Sequence, residues 1–226
     1  MQLEQVVPWG RNASEYLRMF DLTPADLGGR ILGCGDGPAS FNAELTAAGH
    51  QVISVDPIYA FPGEDIRSRV DATYHAIIDQ VKMRPERYVW REFANPDALG
   101  ATRLAAMENF LAGYEAGKSA GRYIEGVLPS LPFADDSFDL ALCSHLLFLY
   151  SEQLDADFHI AAVRELLRVT RDVRIFPLLA LDCEQSPHLP AVIAWCKAEG
   201  HHAEVRPVPY EFQVGGGQML QLLRHL

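Results

Sequence analysis

Five consecutive residues, Gly33-Cys34-Gly35-Asp36-Gly37, offer the clearest chemistry in this chain. They follow a short apolar run, Arg30 to Cys34, and precede a helical pattern, Ser40 to Ala48, with Phe41, Leu45 and Ala48 at helical spacing. Glycines at a strand-to-helix turn let backbone approach a ligand closely and leave the first helical N–H groups free to bind it. A second apolar run, Gln51 to Val55, ends at Asp56-Pro57. A carboxylate at that strand tip can accept hydrogen bonds from both hydroxyls of a ribose lying across the strand ends. The dinucleotide fingerprint G-x-G-x-x-G would need glycine at position 38, where Pro38 stands, and no GK[ST] ending marks a P-loop. The turn and the acid therefore point to a nucleoside without a pyrophosphate cradle. A glycine-rich turn beside a surface aspartate is the alternative.

The elements that must position these residues alternate between strand and helix. Strand, helix and strand within about 25 residues make a βαβ unit. A long stretch, roughly 57–121, then carries two helical patterns, Asp65 to Arg84 and Pro96 to Lys118, and reads as a helical insertion. The chain resumes with strands at Tyr123 to Gly126 and Leu140 to Ser144, a helix at Asp157 to Val169 and a strand at Val173 to Leu179. A helix at Pro190 to Glu199 and strands at Ala203 to Val208 and Met219 to Leu223 complete it. Upstream, Ser14 to Phe20 suits a short helix capped at Asn12 or Ser14, and Thr23-Pro24 signals a second helix start. The order predicts one α/β domain over residues 1–226: a doubly wound sheet, mostly parallel, with one antiparallel strand near the C-terminus and helices on both faces.

Composition narrows the partners. The 226 residues are 49% hydrophobic and 22% charged, which excludes a disordered or low-complexity chain. A net charge of −11 disfavours nucleic acid, whose phosphates the average surface would repel. Arg84, Arg87 and Arg91 form the best local exception, with the solvated end of a helix as the alternative. Cys34, Cys143, Cys183 and Cys196 lack metal-ligand spacing and read as reduced, buried thiols. The first residues lack a basic and apolar leader pattern, and no apolar run is long enough to cross a bilayer. The expectation is a cytoplasmic protein without a membrane partner or a metal; nothing in the sequence sets its oligomeric state.

Taken together, these motifs resemble those of the class I S-adenosylmethionine-dependent methyltransferases. GCGDG is similar to that family's first motif and VISVD to its second-strand acid. LPFADDSFDLALCSHLLFLY resembles its LPF-x-DxSFDLV stretch leading into the fourth strand. The resemblance covers about residues 28–225, less the insertion, and implies a Rossmann-like methyltransferase fold with S-adenosylmethionine as cofactor and S-adenosylhomocysteine as product. It implies a cofactor site in which Gly33, Cys34, Gly35, Asp36 and Gly37 line the methionine and ribose side. Asp56, followed by Pro57, would hold the ribose, Leu128 or Ser130 would pack near the adenine, and Ser144 and His145 would sit beside the sulfonium. Two positions depart from the family pattern: Ile31 stands where an acid usually precedes the first glycine, and Val127 where an acid often receives the adenine amine. Asp36 would then take over the contact to the ammonium group.

Methyl transfer from a sulfonium is an in-line displacement that needs a base only when the acceptor carries a proton. His145, directly after the fourth strand, is the candidate catalytic base; a packing or capping histidine is the alternative. His188 falls on the same rim, or simply starts a helix. Tyr150 and Tyr210 are candidate acceptor contacts or rim aromatics. Trp9, Arg11 and Tyr16 would fold over the cofactor, with aromatic faces toward the sulfonium and Arg11 toward its carboxylate, or else belong to a helix packed on the sheet edge. Tyr74, Ile77, Ile78 and Val81 make an apolar stripe that reads as core. The function expected is methyl transfer to a small-molecule acceptor; a non-catalytic protein that binds the cofactor or its product on the same fold is the alternative. A nucleic-acid or protein methyltransferase is disfavoured by the charge and by Ser144-His145-Leu146 standing where an NPPY-like run would lie.

Overall fold

The computed structural model describes residues 9–225, so the leader reading of the first eight residues lies outside it. Helix α1, Ala13–Met19, starts at Asn12, whose side chain accepts the Glu15 N–H at 2.9 Å while Glu15 reaches back to the Asn12 N–H at 3.2 Å. This reciprocal capping satisfies N–H groups the helix itself leaves open. Strand β1, Arg30–Cys34, helix α2, Phe41–Ala47, and strand β2, Gln51–Val55, form the expected βαβ unit. Helices α3, Gly63–Met83, and α4, Pro96–Ser119, occupy the insertion. Then come β3, Tyr123–Ile124; β4, Leu140–Ser144; α5, Ala156–Val169; β5, Asp172–Phe176; α6, Leu189–Ala198; β6, His202–Pro207; and β7, Gln218–Leu223.

The sheet order is β3-β2-β1-β4-β5-β7-β6, with β7 antiparallel to both neighbours and every other pairing parallel. This is a doubly wound, Rossmann-like sheet. Strand order reverses between β1 and β4, and that crevice at the carboxyl ends is where such sheets bind ligands. Alternation along each strand separates the two faces. Leu32, Cys34, Ala141, Cys143, Val173 and Ile175 belong to the core layer that includes α5 and α6. Ile31, Val52, Leu140 and Leu142 belong to the layer that includes α1 and α2. No described helix is long and apolar enough to cross a membrane.

Three local expectations change. The Thr23-Pro24 signal yields only a 3₁₀ turn, Asp26–Gly28, because the Asp26 carboxylate accepts both the Thr23 N–H and hydroxyl. Strand β5 stops at Phe176 rather than Leu179, since Pro177 has no N–H to continue the ladder. Cys183 is half-buried, in a left-handed turn at φ 73°, while the other three cysteines are buried.

Helix α4 helps tie the insertion into the molecule through an aromatic cluster and an ion pair. Phe110 and Tyr114 of α4 join Tyr59 and Tyr123 in a buried aromatic cluster at the β3 edge. Arg103 of α4 forms a buried ion pair with Glu15 of α1, and Glu15 also accepts the Tyr210 hydroxyl at 2.8 Å. Attraction to Glu15 outweighs burial and keeps Arg103 charged, and Arg103 with its hydrogen bond keeps the Glu15 carboxyl below its ordinary range despite burial. Glu15→Gln should therefore strand a buried guanidinium and lower unfolding stability by about 3–5 kcal/mol in urea titrations, with Glu15→Gln/Arg103→Met recovering part of the loss.

Candidate functional site

A cavity of about 640 Å³ opens at the carboxyl ends of β1, β2, β4 and β5. Its polar end is built on the glycine turn. Gly35 sits at φ 72°, a left-handed conformation that disfavours side chains, and a Cβ there would approach the Leu146 side chain to 3.0 Å. The Asp56 carboxylate accepts the Gly37 N–H on Oδ2 and the Ile58 N–H on Oδ1, both at 2.9 Å. Each oxygen keeps a further lone pair, so the group can still receive two hydroxyls. Burial pushes the Asp56 carboxyl up to about 6, against the pull of the two backbone donors. The Tyr59 hydroxyl donates to the Gly37 carbonyl at 2.7 Å, bracing the turn from the aromatic cluster.

Asp36 is turned inward. Its Oδ1 accepts the Tyr16 hydroxyl at 2.8 Å and its Oδ2 the Ser54 hydroxyl at 2.6 Å. It occupies the space a side chain at Gly33 would need, because a Cβ there would fall 1.9 Å from Oδ2. Burial raises the Asp36 carboxyl to about 6; the two hydroxyls oppose that rise and the Asp56 charge adds to it. Asn42 of α2 donates to Ser54 Oγ at 3.2 Å and to the Arg122 carbonyl at 3.1 Å, joining α2, β2 and the approach to β3.

The reactive end follows β4. His145 has φ 54°, donates its N–H to the Phe176 carbonyl at 2.7 Å, and sets Nδ1 3.0 Å from Ser144 Oγ. Burial, with the Arg11 and Arg103 charges, holds its imidazole well below the ordinary histidine range, so it is neutral at pH 7. The next loop is fixed by His159 of α5, whose Nε2 accepts the Phe148 N–H at 2.9 Å. Its Nδ1 must then carry the proton and donate to the Asp155 carbonyl at 2.7 Å. Over this end lies Arg11, which donates to the Trp9 carbonyl at 3.1 Å and leaves a buried Nε without a partner. Burial and nearby Arg103 pull the Arg11 guanidinium down to about 10, the state of a cation that lacks its own anion.

Much of the remaining lining is apolar: Ile66, Ile77 and Val81 of α3, Tyr88, Leu149 and Phe212 border the cavity, with Asp65 and Arg69 of α3 also on its wall.

Trp9, Arg11, Tyr16, Gly35, Asp36, Gly37, Asp56, Pro57, Ser144, His145 and Tyr150 all line this cavity. Gly33, Cys34, Leu128, Ser130 and His188 do not. Cys34 points to the opposite face of β1, in the α5/α6 layer. Gly33 is covered by the Asp36 carboxylate. Leu128 is buried in the core with Leu131 and Phe138. His188 is a helix-start residue whose Nε2 lies 3.0 Å from the Ser151 carbonyl and whose ring lies 4.8 Å from that of His159. The stripe on α3 divides: Ile77 and Val81 form cavity wall, whereas Ile78 packs toward Gly100 of α4. Leu99 and Phe212 also line the cavity, with no local signal in the sequence to mark them. Arg84 and Arg87 border a separate depression together with Glu152 and Asp182, so the local charge there is mixed.

No family model matches the chain. It is 32% identical over 225 residues to an uncharacterized protein of Methanocaldococcus jannaschii, covering 99% of both chains. Among solved structures it is similar to a SAM-dependent methyltransferase of Thermotoga maritima described as a possible histamine N-methyltransferase. That match has 14% identity and a TM-score of 0.45, covering 94% of this chain and 88% of the other. It is also similar to a SAM-dependent methyltransferase of Aquifex aeolicus, at 15% identity and a TM-score of 0.43, covering 92% and 90%. Likeness at that level assigns no substrate.

Two outcomes follow from this geometry. Gly33→Ala forces the Asp36 carboxylate to move, and should lower the thermal midpoint and weaken ligand binding at the turn in calorimetric titrations. His159 is held below its ordinary pKa mainly by burial, so below about pH 6.5 the unfolded chain binds the proton that the native fold refuses. Stability should fall with pH below that point, and urea midpoints of the wild type should lose more between pH 7.5 and 5.5 than those of His159→Gln.

Proposed function

The chain belongs to one family with the uncharacterized Methanocaldococcus jannaschii protein, and we propose that it transfers a methyl group from S-adenosylmethionine to a small, largely apolar acceptor. The observation that carries this reading is one cavity lined together by Asp56 and the glycine turn, by Ser144 and His145, and by apolar residues of α3.

The residues fit the cofactor. Asp56 has two acceptor positions left for a ribose diol. Half-buried Arg11, whose Nε is buried without a partner, suits a carboxylate, since a guanidinium meets that group through paired N–H donors. Trp9 and Tyr16 contribute aromatic surface to the same cavity. When bound there, S-adenosylmethionine supplies an electrophilic methyl group on a positively charged sulfur. This chain's own residues then orient the acceptor, exclude water and manage its proton. Neutral His145 has an available lone pair, and Nε2 has no hydrogen-bond partner among the described residues. It is the base for an acceptor O–H, N–H or S–H. The walls from Ile77, Val81, Leu149 and Phe212 favour an acceptor with an apolar body, and the net charge of −11 argues against nucleic acid.

A second reading, cofactor binding without turnover, draws on the two departures: Ile31 is wholly buried core and Val127 is an exposed side chain, so neither supplies an acid to the site.

Isothermal titration tests the site. S-adenosylmethionine should bind near micromolar, about −8 kcal/mol, and Asp56→Ala should weaken it at least tenfold. Affinity should fall as pH drops through about 6, where Asp56 takes up a proton and loses acceptor capacity. Absence of binding at millimolar ligand would overturn the proposal. Labelled methyl transfer into a metabolite extract by the wild type, lost in His145→Ala while cofactor binding survives, separates the catalytic reading from the second.

A further inference from the structure

The methyl-transfer reading gives the nucleoside a fixed sense on the sheet. Its ribose belongs on Asp56 at the tip of β2, and its sulfur must come within reach of His145 after β4. Strand β1 separates these tips in the order β3-β2-β1-β4. Sulfur and base leave a ribose from opposite sides of the ring, through C5′ and C1′, so the base is directed away from β4, toward the β3 edge.

The loop after β3 does not meet it there, since none of its residues borders the cavity. Leu128 packs into the core with Val55, Leu131 and Phe138, and the Val127 side chain is 58% exposed. The loop presses on β2 so closely that a Cβ at Gly126 would stand 2.6 Å from the Val55 side chain. The chain leaving Asp56 borders the cavity instead, through Pro57, Ile58, Phe61, Asp65 and Ile66.

Phe61 and Asp65 stand out among these. The Phe61 ring is 54% exposed at the cavity, yet its backbone is held on both sides. Its N–H donates to the Ile58 carbonyl at 3.1 Å, and its carbonyl accepts the Tyr114 hydroxyl of α4 at 2.9 Å. Glu115 of α4 also accepts the Gly63 N–H at 2.8 Å, which fixes the start of α3. An aromatic ring left open on an anchored backbone is a platform in need of a flat partner. Asp65, in the first turn of α3, uses its carboxylate in no hydrogen bond or ion pair among the described residues. Other charges between the two inserted helices are matched, Arg67 with Glu108 and Lys82 with Asp97.

We propose that Phe61 and Asp65 form the base site, the ring stacking on the purine and the carboxylate accepting its 6-amino group. The proposal rests on the cofactor reading above and deepens it by giving the helical insertion the task of reading the base. Every base has a π face, so Phe61 supplies affinity without choosing among bases. A carboxylate only accepts, so Asp65 favours a 6-amino group and opposes a 6-oxo group. The acid that Val127 does not supply from the β3 loop comes here from α3. Farther along the same helix, Ile77 lies about 18 Å from Asp65 at 1.5 Å per residue. One inserted helix thereby meets the base with its first turn and walls the cavity again through Ile77 and Val81.

Titration calorimetry at pH 7 tests this with S-adenosylhomocysteine and S-inosylhomocysteine, which differ only in carrying a 6-amino or a 6-oxo purine. Wild-type protein should prefer the amine roughly tenfold, the scale of one hydrogen bond to a charged group. Asp65→Asn, whose carboxamide can accept from the amine or donate to the oxo group, should erase most of that preference. Phe61→Ala should weaken both ligands about tenfold, the scale of one lost stacking contact, and Phe61→Tyr should restore them. Neither side chain is buried, so thermal midpoints should stay at the wild-type value. Equal binding of the two ligands by wild type, a preference unchanged in Asp65→Asn, or undiminished affinity in Phe61→Ala would each overturn the base site. The cofactor reading would still stand in those cases on S-adenosylhomocysteine binding that Asp56→Ala weakens. Failure of wild type to bind either ligand would overturn both.

Discussion

A carboxylate enclosed by protein must be given donors, and the site is organised around the two that Asp36 receives. Tyr16 brings α1 down onto the glycine turn, and Ser54 ties the turn to β2. Asn42 then orients Ser54 and reaches the Arg122 carbonyl, so α2 and the approach to β3 are fixed by the same network. The space for the carboxylate exists because position 33 has no side chain. A local turn motif thereby sets the spacing of two helices and two strands, and the outward-facing Asp56 inherits its position from that frame.

The cavity has two origins. Its polar end comes from strand tips and turns, whose geometry the sheet dictates. Its apolar end comes from α3, the loop containing Tyr88 and the C-terminal segment containing Phe212, none of which is needed to close the sheet. A rigid frame that presents variable walls is the usual way one architecture serves different acceptors. The ion pair between Arg103 and Glu15 joins the inserted α4 to the helix above the turn, so the walls are anchored to the frame rather than draped over it.

Features encoded over a few residues were legible in the sequence. The glycine turn, the acid at 56 and the helix start capped at Asn12 or Ser14 are all contained in windows of one or two turns of chain. The helices of the insertion were legible from their period. What that period could not show is what lies opposite a buried apolar face: Ile78 meets α4, while Ile77 and Val81 meet open cavity. Cys34 was misplaced although strand alternation was available, since neighbours on a strand face opposite sides and Cys34 shares its side with Leu32. Leu128 was assigned from its motif position, and only the packed core shows it directed away from the cavity. Tyr16, Asp36, Ser144 and His145 border one cavity from three separated segments, a proximity that no local window contains.

Glu15 carries one further consequence. The same carboxylate closes a capping box with Asn12, neutralises Arg103 and accepts from Tyr210, whose position in the chain lies 195 residues away. A change at any one of these positions leaves an unpaired polar group in the interior. Among relatives of this chain, positions 15, 103 and 210 should therefore covary as a unit, so that their joint replacement, more than their individual retention, records where the family has rebuilt the wall of its site.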